Sequence, residues 1–308
     1  MSARTVAAPL PAGRRGARVR QTASGLVAGA RPRQWLKNVL VFLAPAAAGV
    51  LTQEAVLLRV IPAFAAFCLL ASGTYLINDA ADSEADRRHP TKRLRPVAAG
   101  RISKRTAVVA GVVLLLAGLG ISAAVSTVLL GVSIAYVALT ASYTLWLKHI
   151  AVVDIVAVAG CHVLRALAGG AAAGVAISSW FLIVVSFASL LVAAGKRHAE
   201  LTDGGPRIST RATLAVYSPG FLRRVWMIAA GVAIAAYVIW AAGARGDEAA
   251  LWAYLSMLPF CAGIARYTTL LDAGAGETPE ATLVQDRVMV LSLGTWVVLF
   301  MAGVTFGG

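Results

Sequence analysis

Charge is scarce in this chain. Only 14% of its 308 residues are charged while 59% are hydrophobic, against roughly 25% charged in an average soluble domain. Two water-soluble domains of this length would need far more polar surface, so a soluble protein is excluded. Acidic residues are scarcer still: 14 Asp and Glu stand against 28 Lys and Arg, a formal +14, and none precedes Glu54. Cysteine is nearly absent. Cys68, Cys161 and Cys261 sit far apart inside apolar runs without metal-ligand spacing, and read as small core residues. Neither a fixed-period repeat nor the alternating pattern of a transmembrane β-barrel is present. The basic excess alone would suit nucleic acid. In a chain this apolar, Lys and Arg also orient spans and attract anionic lipid or phosphate.

What is present is a series of apolar segments long enough to cross about 30 Å of hydrocarbon. Nine are expected, at 34–51, 55–78, 104–125, 127–147, 150–173, 178–196, 217–244, 249–270 and 286–306. The uncharged run from Thr106 to Leu147 is too long for one span and needs a turn near Ser126. The fold class is therefore an all-α integral membrane protein of about nine transmembrane helices. Residues 1–30, rich in Ala, Gly, Pro and Arg, are expected as a disordered basic cytoplasmic tail, with 31–308 forming the transmembrane catalytic domain. Basic residues gather at Arg4 to Lys37, at Arg87 to Arg105 and at Lys196 to Arg224, and the alternate connections carry almost none. This positive-inside pattern places the N-terminus and the charged loops in the cytoplasm, the C-terminus outside, and the chain as a multi-pass protein of the plasma membrane. The connection at 271–285 reads as a flexible loop.

The second span ends in "NDAADSEAD", Asn78 to Asp86. Asp79, Asp82 and Asp86 are spaced three then four apart, so a continuing helix puts them on one face with Asn78 close by. Three like charges on one face repel unless a cation lies between them. Carboxylate and amide oxygens suit a hard cation, and a sparse oxygen set with room for water and phosphate suits Mg²⁺. Zinc is disfavoured, since no Cys or His cluster accompanies them. The alternative is a solvated helix end balanced by Arg87 and Arg88. The next string, "RRHPTKRLRPVAAGRIS", supplies dense cations including Arg87, Lys92 and Arg95. Mg²⁺ bridged to a diphosphate, with Lys and Arg on the remaining oxygens, is how a diphosphate is held and made a good leaving group.

Further charges lie within the spans. Asp154 and Arg165, eleven residues apart, fall on one helix face, and ionisable residues at this depth face a cavity or a partner. His162 reads as an interior hydrogen-bonded residue. The sixth span ends in "GKRHAELTDGG", where Lys196, Arg197, Glu200 and Asp203 combine two cations with two oxygen ligands, suited to a second Mg²⁺ or a phosphate. Before the first span, "RPRQWLKN" sets Lys37 and Asn38 at the mouth of the bundle, with Trp35 as an interfacial anchor.

These residues resemble the UbiA superfamily of intramembrane prenyltransferases. The resemblance is carried by "NDAADSEAD", "HPTKRLRP", "YTLWLK" from Tyr143 to Lys148, and the stretch from Asp154 through Arg165 to Gly169-Gly170. It implies a helical bundle around a central cavity open to the bilayer, with two Mg²⁺ ions and a diphosphate held there by Asn78, Asp79, Asp82 and Asp86. Asp79, Asp82 and Asp86 carry over as the catalytic set, and Tyr143 and Lys148 as substrate-binding residues. The family's second aspartate-rich motif is replaced here by Lys196, Arg197, His198, Glu200 and Asp203, leaving Glu200 and Asp203 as the metal candidates there. "RPRQWLKNVLVF" and the "GKRHAEL" string resemble the actinobacterial branch that joins phosphoribosyl diphosphate to a polyprenyl (decaprenyl) phosphate, making the lipid precursor of cell-wall arabinan. Lys37, Arg87, Lys92, Arg95, Arg165, Lys196 and Arg197 would then line a cavity receiving a diphosphate, a 5-phosphate and a lipid phosphate. Two other readings stand beside it: an aromatic prenyltransferase using polyprenyl diphosphate, and a transporter of phosphorylated lipid. Membrane lipid is an expected partner, nucleic acid is not, and homo-oligomerisation is left open.

Overall fold

A computed structural model describes residues 12–202, 212–243, 247–276 and 279–306, and all of their regular structure is helical. The α-helices are α1 (Ala12–Ala30), α2 (Leu43–Ala47), α3 (Glu54–Ala81), α4 (Ser83–Arg87), α5 (Lys104–Val125), α6 (Thr127–Leu145), α7 (Val153–Ala173), α8 (Ser179–Thr202), α9 (Pro219–Ala242), α10 (Asp247–Asp272), α11 (Pro279–Gln285) and α12 (Arg287–Phe306). Short 3-10 segments join them, the longest being Pro32–Phe42 ahead of α2.

Among the described residues, seven helices are long and apolar enough to cross a membrane: α3, α5, α6, α7, α8, α9 and α12. Nine spans were expected, and the two stretches beyond these seven differ from each other. The stretch 34–51 is not an α-helix but the 3-10 segment followed by the five residues of α2. At about 2.0 Å per residue a 3-10 helix climbs faster than an α-helix, so these sixteen residues still extend about 30 Å. The stretch 249–270 is helical within α10, as expected. Ser126 ends α5 and begins α6, its hydroxyl accepting from the Leu129 N–H at 3.0 Å, so the uncharged run divides there as expected.

Two further expectations change. Residues Ala12–Ala30 form a helix where a disordered tail was expected. Its C-terminal half offers small and apolar residues, and Leu26 packs on a core of Leu76, Val97 and Ile102. The connection after α10 is also structured. Buried Gly276 lies against the Gly195 carbonyl and Ala199 of α8, and α11 reaches the 3-10 segment.

Besides that small core, two larger apolar cores meet at α7. One gathers Val60, Phe67 and Leu70 of α3 with Tyr136 of α6 and Ala168 of α7. The other gathers Ile155 of α7, Leu191 of α8, Leu222 and Trp226 of α9, and Leu271 of α10. Small residues let backbones approach, as in other membrane bundles. Gly73 of α3 faces Gly111 of α5, where a Cβ on Gly73 would stand 2.7 Å from the Gly111 carbonyl oxygen. The tightest approach is at Gly169 of α7, where a Cβ would lie 1.7 Å from the Val41 carbonyl oxygen of the 3-10 segment. Seating that irregular segment on α7 therefore requires glycine.

Gly169→Ala is expected to lower thermal stability in detergent by about 3 kcal/mol or more, beyond ordinary overpacking, because backbone rather than a side chain blocks the way. Gly131→Ala, with nothing within 4 Å of the added carbon, is expected to match or exceed the parent melting temperature.

Candidate active site

The last turn of α3 delivers Asn78 and Asp79. Asp82 caps that helix, its N–H bonding the Asn78 carbonyl at 2.8 Å, and Asp86 N–H bonds the Asp82 carbonyl at 2.9 Å through α4. The helical rise is thus nearly continuous. Seven residues at 100° each bring Asp79 and Asp86 to within about 20° of one another, with Asp82 turned about 60° aside. The contacts follow this division. Arg95 joins the first pair, its Nη1 lying 3.2 Å from Asp79 Oδ1 and 2.8 Å from Asp86 Oδ2. Asp82 instead receives Lys148 Nζ at 2.7 Å, from the turn after α6.

A third cation was not foreseen. Arg31 Nη2 sits 2.5 Å from Asp79 Oδ1, and its guanidinium covers the Tyr75 ring at 4.9 Å. Arg31 reaches inward because its backbone is left-handed (φ 54°, ψ 61°) where α1 breaks before Pro32. No local signal in the sequence announces that conformation. Asp79 and Asp86 are both nearly inaccessible, at 1% and 2% exposure, so their neutralisation by Arg31 and Arg95 offsets a burial cost of several kcal/mol per ion.

The basic string folds back onto this corner. Val97 and Ala98 are buried, Arg87 Nε donates to the Ala98 carbonyl at 3.3 Å, and His89 Nδ1 accepts from the N–H groups of Thr91 and Lys92, both at 3.3 Å. Burial, followed by the Lys92 charge, pushes the His89 ring below its ordinary value and keeps it neutral. Arg87 thus braces the loop, Lys92 is half-buried within it, and Arg95 meets the carboxylates.

The second motif forms a separate network. Arg197 is 2% exposed. Its Nε donates to Asp154 Oδ2 at 2.7 Å, Nη1 to Glu200 at 3.0 Å, and Nη2 to the Tyr143 hydroxyl at 2.9 Å. Tyr217 donates a very short hydrogen bond to Asp154 and accepts from the Val152 N–H at 2.6 Å. Val152 carries φ 68°, a strained conformation for a β-branched residue, held at the entry to α7. Tyr217 follows a long charged loop, and nothing near it in the sequence signals this role. The two networks meet at the end of α6, where Tyr143 serves Arg197 and Lys148 serves Asp82.

Asp154 and Arg165, expected on one face, serve different partners. Arg165 donates from Nε to Asn38 Oδ1 at 2.7 Å, from Nη2 to the Tyr136 hydroxyl at 2.8 Å, and from Nη1 to the Cys161 carbonyl at 2.8 Å. Lys37 reaches Gln34 at 2.5 Å, Trp35 bonds Ser72 at 3.0 Å, and Lys196 is half-buried. Asp203 lies outside the described residues.

Among the described residues, no three Asp, Glu, His or Cys side chains converge as a ready metal cage. The donor chemistry nonetheless fits a hard cation. Asp79 Oδ2 is buried with no hydrogen-bond partner, and Asp82 and Asp86 offer further carboxylate oxygens on the same turn and the next. A cavity of about 150 Å³ lies elsewhere, between α8, α10 and α12, with Leu191, Phe260 and Trp296 in its apolar lining.

A model of the UbiA prenyltransferase family matches residues 38–294. The chain belongs to that family. The decaprenyl-phosphate phosphoribosyltransferase of Corynebacterium glutamicum is 40% identical over 89% of this chain and 85% of its own. That of Mycobacterium tuberculosis is 41% identical over 92% and 95%. A UbiA homolog from Archaeoglobus fulgidus, solved bound to GPP and Mg²⁺, superposes with a TM-score of 0.73 at 16% identity, over 92% of this chain and 99% of that one. This last likeness establishes the UbiA fold.

Two outcomes follow from the charge networks. Asp154→Asn leaves Arg197 buried without its most enclosed counter-charge and is expected to cost about 3 kcal/mol in thermal unfolding; adding Arg197→Met should recover much of that loss. A depressed histidine pKa means that stability is present above the ordinary value near 6.5 and is lost as pH falls through the lower folded value. Amides of residues 89–95, corrected for intrinsic rates, should therefore exchange faster as pH drops below about 6.5, and His89→Asn should flatten that dependence.

Proposed function

We propose that this UbiA-family protein transfers the 5-phosphoribosyl group from phosphoribosyl diphosphate to a polyprenyl phosphate, releasing diphosphate. The observation that carries the reading is the interleaving of Asp79, Asp82 and Asp86 with Arg31, Arg95 and Lys148 at one end of the bundle. The 40–41% identity to decaprenyl-phosphate phosphoribosyltransferases over most of their length supports it. Decaprenyl phosphate is the acceptor this suggests, and the product would be a lipid-linked precursor of arabinose for cell-wall arabinan.

The bond broken is that between the anomeric carbon of ribose and the diphosphate, and the bond formed joins that carbon to the lipid phosphate oxygen. That oxygen is already anionic, so the site needs no strong general base. Asp79, Asp82 and Asp86, with Asn78 beside them, would hold Mg²⁺. Bound there, Mg²⁺ supplies charge stabilisation for the departing diphosphate. Arg31, Arg95 and Lys148 are the cations within reach of that diphosphate, able to pass from carboxylate to phosphate oxygens. Because these three already neutralise the acids, metal and diphosphate gain most by entering together. Arg197 holds Glu200 and Tyr143 in the second network. The protein would work at the cytoplasmic face of the plasma membrane, where its basic loops lie.

Purified protein given phosphoribosyl diphosphate, polyprenyl phosphate and Mg²⁺ should release diphosphate, and Asp82→Asn should reduce that rate by about 100-fold or more. Turnover with an aromatic acid and prenyl diphosphate, with none from the first pair, overturns the reading.

A further inference from the structure

Both charge networks hold cations against carboxylates, but they differ in whether the cation can leave. In the first, the Arg31 and Arg95 side chains are 27% and 26% exposed and Asp82 is 30% exposed. Asp79 Oδ2 is buried without a hydrogen-bond partner. That oxygen is available to a metal, and the guanidinium groups it would displace can turn outward to phosphate.

The second network is closed. The Arg197 side chain is 2% exposed and that of Asp154 is fully buried. Both Asp154 oxygens are engaged, Oδ2 by Arg197 Nε and Oδ1 by the Tyr217 hydroxyl. The other two nitrogens of Arg197 hold Glu200 Oε2 and the Tyr143 hydroxyl. One guanidinium thus stands where oxygens from α6, α7 and α8 converge, the kind of position a hard cation takes. A metal could enter only by expelling Arg197, and a charge displaced within the protein and left unpaired is strongly destabilising. Enclosure also keeps Arg197 from any phosphate oxygen that could take it up. Resemblance to the UbiA family implies two Mg²⁺ ions, and the described residues of this motif do not fit the second.

We propose that Arg197 is the resident cation of the second motif, filling the place of a metal ion, and that this chain takes a single divalent ion, at Asp79, Asp82 and Asp86. The inference rests on the metal assignment within the function proposed above, but not on the identity of the substrates. A diphosphate is the leaving group for phosphoribosyl transfer and for aromatic prenylation alike. With one ion present, the diphosphate keeps negative charge that side chains must meet. Arg31, Arg95 and Lys148, already beside the acids, are the groups placed to meet it.

The test counts Mn²⁺ on the full chain in neutral detergent by equilibrium dialysis with inorganic diphosphate present. Electron paramagnetic resonance reads any coupling between neighbouring ions. Wild type should hold one Mn²⁺ per chain without Mn–Mn coupling. Asp82→Asn should weaken that ion about tenfold or more, and the double variant Glu200→Gln, Asp203→Asn should leave it in place. Arg197→Ala should admit a second ion, which adding Glu200→Gln removes again. Two ions on wild type overturn this proposal and leave the metal assignment at Asp79, Asp82 and Asp86 standing. No ion on wild type, an ion indifferent to Asp82→Asn, or an ion lost in the double variant overturns both. A folded Arg197→Ala that stays at one ion shows that the guanidinium fills no metal's place, and also overturns the proposal. Should Arg197→Ala fail to fold, the wild-type count and the double variant decide.

Discussion

Carboxylates buried at the end of a membrane helix must be neutralised from within the chain, and much of the surrounding architecture meets that constraint. Asp79 and Asp86 are almost inaccessible. Without partners each would carry a desolvation cost of several kcal/mol. Their partners arrive from distant segments. Arg31 comes from the left-handed break before Pro32, Arg95 from a loop folded back on α3, and Lys148, for Asp82, from the corner after α6. The packing of Leu26 against Leu76, Val97 and Ile102 thus links the order of α1 and the basic loop to the state of the acids.

The same economy of opposite charges explains the second network. Arg197 ties Asp154 of α7 to Glu200 of α8, and Tyr143 and Tyr217 complete it. Strain at Val152 is localised where Tyr217 grips both the backbone and Asp154, consistent with strain being retained beside functional groups. The irregular 3-10 segment is held differently, by Asn38 against Arg165 and by the close passage of Val41 over Gly169. Irregular backbone at membrane depth is tolerated where it is buried in protein.

The spacing of Asp79, Asp82 and Asp86, the basic string after them and the division at Ser126 were legible in the sequence, because each is a local pattern with a local physical cause. The carboxylates were expected to need a cation between them, and the structure supplies that charge from side chains. Arg31 and Tyr217 were not legible: one depends on a backbone conformation, the other on a contact 63 residues away. The separation of Asp154 from Arg165 was hidden for a related reason. Helical phase places both on one face but says nothing of which neighbouring helix each one meets. The 3-10 form of the stretch 34–51 was hidden as well, since hydropathy does not distinguish the two helices.

The central claim is that acids and bases in the carboxylate cluster hold one another until a diphosphate takes the bases and a divalent ion takes the acids. Its most direct test is Mn²⁺ binding to the purified wild-type protein by electron paramagnetic resonance, with and without phosphoribosyl diphosphate. Weak Mn²⁺ binding alone, strengthened at least tenfold by the diphosphate and accompanied by phosphorus hyperfine coupling, is the predicted result. Tight Mn²⁺ binding that the diphosphate leaves unchanged would contradict the account.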